Sequence, residues 1–239
     1  MAVSYHVRSN SFPSRLHPQA AHVDEQLTHL RSSEEASTSS SSSIFQRLDN
    51  IQELHESLDK LIRLPLTQKA LAQEQNKKVV EQLLDGSLRI MDLCNISKDA
   101  LTLMKEGLME IQSILRRKRG DLLGGVKKYL ASRRSLRKLF QKVLKSLKVK
   151  QDQECNDESL SMFVEAEAIT MALFDSLFRF MSGSKTSGKW SMVSKLMNQR
   201  KFPIKKRSLH IIIDLEDGLE SLAKSLIKYR VSILNILGH

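Results

Sequence analysis

The chain is short of the residues that break up or staple a fold: 239 residues hold two cysteines, four prolines and nine glycines, and only 5% are aromatic. So few prolines and glycines leave little to divide the chain into short elements, which favours long helices and excludes a collagen-like repeat. A disulfide mini-scaffold is excluded as well. Cys94 and Cys155 lie far apart without CxxC spacing, as expected of two packed thiols in a reducing compartment. No apolar run approaches the roughly 18 residues of a membrane span, so a soluble or peripheral protein is expected.

What is present is a balanced composition, 41% hydrophobic and 27% charged, enough for one sizeable core or two small ones. The formal charge is +11, and it is local. Between Arg116 and Lys150 stand 14 basic residues against the single acid Asp121, leaving 24 basic and 26 acidic residues elsewhere, a net of −2. One segment carries the excess.

Residues 1–43 show no helical apolar repeat and finish in the run Ser37-Thr38-Ser39-Ser40-Ser41-Ser42-Ser43. Such a stretch buries too little apolar surface to offset its ordering entropy, so a disordered Ser-rich arm is expected there, followed by a single helical domain over 44–239. Arg8 and Arg15 near the start leave room for a transit peptide, but the apolar part is too weak for a secretory signal.

From Ile44 to Ile62 apolar residues recur every three or four positions, the spacing of one helix face, and Pro65 ends the pattern. A second pattern starts at Thr67, an N-cap candidate, and stops at Asp85-Gly86-Ser87, a helix-end signal. A long third helix covers 88–115. After Gly120 and Gly124-Gly125 comes a basic helix over 126–148, then a polar break, then a helix over 159–181 that is apolar almost all round and belongs in the middle of a bundle. A short segment at 190–197 and a final helix over 214–237 complete the chain, with Leu209-His210-Ile211-Ile212-Ile213 as a candidate extended run. The fold class expected is all-α: an elongated bundle of five to seven helices.

Chemical motifs are weak. Gly183 to Lys189 has GxxxxGK spacing, but Trp190 stands where a phosphate-binding loop needs Ser or Thr, and no strand precedes it. A flexible interhelical loop is the simpler account. The histidines His6, His17, His22, His29, His55, His210 and His239 never fall at metal-ligand spacing. Asp214, Glu216, Asp217 and Glu220 suit the first turns of a helix, where negative charge complements the macrodipole. No catalytic, cofactor-binding or metal site, and no small-molecule substrate, is inferred.

The basic helix offers more. Its apolar residues keep to one stripe while Lys127, Arg134, Lys138, Lys142 and Lys145 hold the far side, the profile of a helix that docks on an anionic membrane or in calmodulin. The plainer account makes the stripe bundle core and the lysines a solvated face, partly neutralised by the acidic start of the last helix. Nucleic acid is a weaker option, because no helix-turn-helix, zinc finger or aromatic platform accompanies the charge. Arg116-Arg117-Lys118-Arg119 and Lys205-Lys206-Arg207 resemble nuclear-import clusters, although helix-end cations explain the first. In the arm, Arg8-Ser9-Asn10-Ser11-Phe12-Pro13 resembles a ligand of 14-3-3 proteins, with Ser11 as the candidate phosphosite flanked by Arg8 and Pro13.

Four stretches resemble the plant-specific BYPASS-type family, catalogued as domain of unknown function 241: MAVSYHVRSNSFP from Met1, MDLCNISKDAL from Met91, SILRRKRG from Ser113, and DLEDGLESL with LIKYRVSILNILGH from Asp214 to His239. The resemblance covers essentially the whole chain. It implies a helical plant protein without established enzymatic activity, in a family associated with root and shoot development, and it supplies no site residues. One departure is that the polar insertion expected before the last helix is shortened at 201–207. Together these features lead to a non-enzymatic interaction or scaffold protein working through protein partners, the alternative being a peripheral membrane protein docked through 126–148. A cytoplasmic or membrane-peripheral location is expected, with nucleus or plastid as alternatives.

Overall fold

The computed structural model describes residues 17–35, 41–117, 120–147, 158–182 and 203–238. Among them are seven α-helices: α1 Pro18–Glu35, α2 Ser41–Ile62, α3 Pro65–Ala72, α4 Lys77–Arg117, α5 Leu122–Leu147, α6 Glu158–Ser182 and α7 Pro203–Leu237. One 3-10 turn, Glu74–Asn76, joins α3 to α4. No strand occurs among the described residues. The fold is the expected all-α bundle.

α6 lies at its centre. Leu160, Ala166, Leu173, Phe174 and Phe178 are all fully buried, and α6 packs on α1, α2, α3, α4 and α5. Contacts fix the directions of the others. Leu48 meets Gly218 and Asp59 meets Ser232, so α2 and α7 run parallel. Lys98 reaches Glu220 and Arg230 reaches Ser87, so α4 and α7 are antiparallel. His55 with Thr170 and Arg47 with Ser176 make α2 antiparallel to α6.

The structure departs from the sequence expectation in four places. Residues 18–35, assigned to the arm, form α1. Its stripe is narrow, with Val23, Leu27 and Leu30 at i, i+4 and i+7 in an otherwise polar stretch, but all three are buried against α2 and α6. Gln19 Nε2 donating to the Ser57 carbonyl (3.1 Å) and the Arg31–Glu165 ion pair fasten its two ends. The bundle therefore begins at Pro18 rather than Ile44, and α2 starts inside the serine run; residues 1–16 and 36–40 lie outside the described residues.

Gly86, taken as a helix end, sits inside α4. A Cβ there would overlap the carboxylate of Glu167 on α6, so this glycine serves a close helix crossing. α4 accordingly runs 41 residues, about 61 Å at the helical rise. Thr67 does not cap: Pro65 opens α3 after Leu64, and the Thr67 side chain is buried. Finally, α7 starts at Pro203 and absorbs the candidate extended run 209–213. Asp214 to Glu220 are thus about three turns inside a helix, beyond the reach of its N-terminal dipole.

Substituting Leu173→Asp places an unpaired charge where the side chain is fully buried and costs several kcal/mol. We expect loss of the cooperative thermal transition. A Leu173→Asp protein that melts within a few degrees of the parent removes α6 from the centre.

Candidate functional site

The basic helix is built onto the bundle from its turn outward. Gly120, at φ +113°, allows the reversal after α4, and Asp121 accepts the Gly124 N–H at 2.8 Å to start α5. A small second core of Ile111, Val126 and Tyr129 holds the α4–α5 turn, with Gly107 leaving room for the Tyr129 ring. Farther along, Leu136 and Phe140 enter the main core, where Phe140 stacks on Phe178 with centroids 4.5 Å apart. Two cations that the sequence did not single out lock the register. Arg133 donates to the Met181 carbonyl and Arg137 to the Ser182 carbonyl, both at 2.7 Å, satisfying the open end of α6.

With its apolar stripe fixed inward, α5 turns Lys127, Arg134, Lys138, Lys142 and Lys145 outward. All five are exposed, and none has an ion pair or hydrogen bond among the described residues. They recur at steps of seven, four, four and three residues, an arc of about 80° running some 27 Å along the helix. Neutralisation by the start of the last helix does not occur. Glu216 pairs with Lys105 (2.6 Å), and Glu220 with Lys98 (3.4 Å) and Lys224 (2.9 Å), so that acidity is spent on α4 and on α7 itself. Among the described residues, the single acid that meets an α5 lysine is Glu110 of α4, 3.0 Å from Lys128.

Other candidates separate. Ser11 with Arg8 and Pro13, the GxxxxGK-like segment, Cys155, the 190–197 segment, Lys118, Arg119 and Lys148 lie outside the described residues. Lys205, Lys206 and Arg207 fall in the first turns of α7, and Arg116 and Arg117 in the last turn of α4. Cys94 is buried, and desolvation pushes its thiol up to about 12, which leaves it unreactive. His17, His22, His29 and His210 are exposed, and no group of three or more His, Cys, Asp or Glu side chains among the described residues is placed to hold a metal ion. Among the same residues no helix is long and apolar enough to cross a membrane.

Comparison with known proteins gives a family. The family model described as Protein BPS1 matches residues 47–211 and 206–236, the helices from α2 to the end of α7. The chain belongs to the BPS1 family. This is a plant developmental family of unknown molecular function and not a known enzyme family. No curated protein and no solved structure matches the chain. Helix α1 lies before the matched span, and the two matched BPS1 segments overlap at 206–211.

One histidine that the sequence analysis counted only as lacking metal-ligand spacing has a defined place inside this BPS1 bundle. His55 is fully buried, its Nε2 3.0 Å from Thr170 Oγ1 and its ring edge-on to Tyr229. Thr170 Oγ1 already donates to the Ala166 carbonyl (2.7 Å), so Nε2 must carry the proton and donate to it. Desolvation lowers the imidazole pKa to about 4. A lowered folded value means that stability is fully present above the unfolded value of 6.5 and is lost as pH falls towards 4, by about 3 kcal/mol at most. Glu167, raised chiefly by burial, has the opposite slope, losing stability as pH rises above the ordinary carboxylate range. In a Glu167→Gln background, urea titrations at pH 7 and pH 4.5 should show His55's acid loss, and His55→Leu should remove it. An unchanged difference in the His55→Leu protein contradicts the neutral buried imidazole.

Proposed function

We propose that this BPS1-family protein is a non-enzymatic helical interaction module in plant development, which engages a negatively charged partner protein through the outer face of α5. The observation that supports it is the row of five exposed cations, without partners among the described residues, on a helix whose apolar stripe is committed to α4 and α6. Charge held this way raises encounter rates with an acidic surface and sets its register. Calmodulin is disfavoured as the partner, because its groove grips an apolar face and that of α5 is packed. A second input belongs to the same proposal: phosphate on Ser11, beside Arg8 and Pro13, presents a 14-3-3-type reader with a dianion.

The second reading is docking on an anionic leaflet. It is favoured by the absence of any aromatic anchor between the five cations, where Ala131, Ser135 and Gln141 intervene, since protein interfaces draw most of their energy from such anchors. About 1 kcal/mol per Lys or Arg near an anionic surface gives attachment that fades with salt.

Proximity labelling and fractionation in plant cells, with the full chain and with Lys127, Arg134, Lys138, Lys142 and Lys145 replaced by Gln, separate the two. Loss of labelled neighbours at unchanged fractionation supports the protein partner. Release from the membrane fraction supports the leaflet. A variant that keeps both its neighbours and its fraction dismisses α5 as the docking face.

A further inference from the structure

The outer face of α4 is the negative counterpart of α5. Glu81, Asp85, Asp92, Asp99 and Glu106 are all exposed, and none has an ion pair or hydrogen bond among the described residues. Four of the five fall within steps of seven, and all lie in an arc of about 60° running some 37 Å along the helix. Leu88 and Leu103, each 47% exposed, stand in the same arc, and Leu123, 48% exposed, heads the cationic row on α5. Lys78 flanks one end of the acidic row. Both rows point away from the core of their own helices, because the buried residues of α4 (Leu83, Ile90, Cys94, Leu101) and of α5 (Tyr129, Leu136, Phe140) occupy the opposite faces.

We infer that the acidic row of α4 is the docking surface for the α5 row of a second copy of this chain. The proposal rests on the docking role of the α5 face and names one partner for it. Both rows keep to one face of their helix, are comparable in length and of opposite sign, and have no partner among the described residues. Each therefore supplies what the other needs, in the manner of the flanking charges that set helix pairing in coiled coils. The Lys128–Glu110 pair at the turn shows the same chemistry between the two helices within one chain. Leu88, Leu103 and Leu123 give the contact its apolar part. Association hides the cations of α5, so self-docking and attachment to another anionic surface exclude each other at a given copy.

The test is charge exchange. Full-length parent protein, a variant carrying Lys127→Glu, Arg134→Glu, Lys138→Glu and Lys142→Glu, and a variant carrying Glu81→Lys, Asp92→Lys, Asp99→Lys and Glu106→Lys are compared by sedimentation equilibrium. Circular dichroism checks that each keeps its helices. The parent should self-associate at ~50 mM salt and weaken at least about ten-fold by ~0.5 M. Each variant should sediment as a monomer on its own, and an equimolar mixture of the two should associate. Where a fourfold swap does not fold, Lys138→Glu and Asp92→Lys repeat the mixing. A monomeric parent at low salt, single variants that still associate, or a mixture that does not, overturns the inference. A monomeric parent whose α5-neutral form nevertheless loses its cellular neighbours rejects only the second copy as partner. Self-association without any cellular effect of neutralisation rejects the wider function.

Discussion

A helix that is apolar on nearly every side has to be enclosed, and α6 imposes that condition on the rest of the chain. Its buried leucines and phenylalanines each contribute about 1.5–3 kcal/mol when covered. No single neighbour can cover a full cylinder. α1, α2, α3, α4 and α5 therefore gather around it, and each spends its own apolar stripe in doing so. The helix α1, whose buried stripe is only Val23, Leu27 and Leu30, adds one more wall to that enclosure. An isolated helix of its composition would not hold together, so packing rather than propensity makes it.

Enclosure also explains the polar groups inside. Where α4 crosses α6, Gly86 lets the helices approach and Arg89 reaches Glu167 at 3.0 Å. Beside this crossing His55 is held neutral against Thr170, and Tyr229, its phenol pushed up chiefly by burial, packs against the imidazole and Phe163. Buried polar groups of this kind add little net stability, but they tolerate few alternative registers.

The same geometry sorts the charges. Those at helix contacts are paired, such as Lys105 with Glu216 and Arg31 with Glu165, or cap a helix end, as Arg133 and Arg137 do. Among the exposed charges not spent in this way are a cationic row on α5 and an acidic row on α4, both turned outward because the opposite faces are committed to the core. These two surfaces are the ones on which the proposed docking of this BPS1 protein rests.

Much of this was legible in the sequence. Scarce glycine and proline with three- and four-residue periodicity determined an all-helical chain, the all-round apolarity of 158–182 determined its centre, and clustered Lys and Arg determined which helix would be cationic. These are local properties, and local spacing records them. Other features depended on which helices meet. The narrow stripe of α1 became a helix only against α2 and α6, and Gly86 changed from a stop signal to a crossing point because Glu167 approaches it. Of the acids at the start of the predicted last helix, Glu216 and Glu220 turned out to pair with α4's lysines rather than with those of α5. A seven-residue recurrence of acids along α4 was visible in the letters, but whether those acids were spent or free was decided only by tertiary structure, since pairing depends on neighbours more than a hundred residues away in the chain.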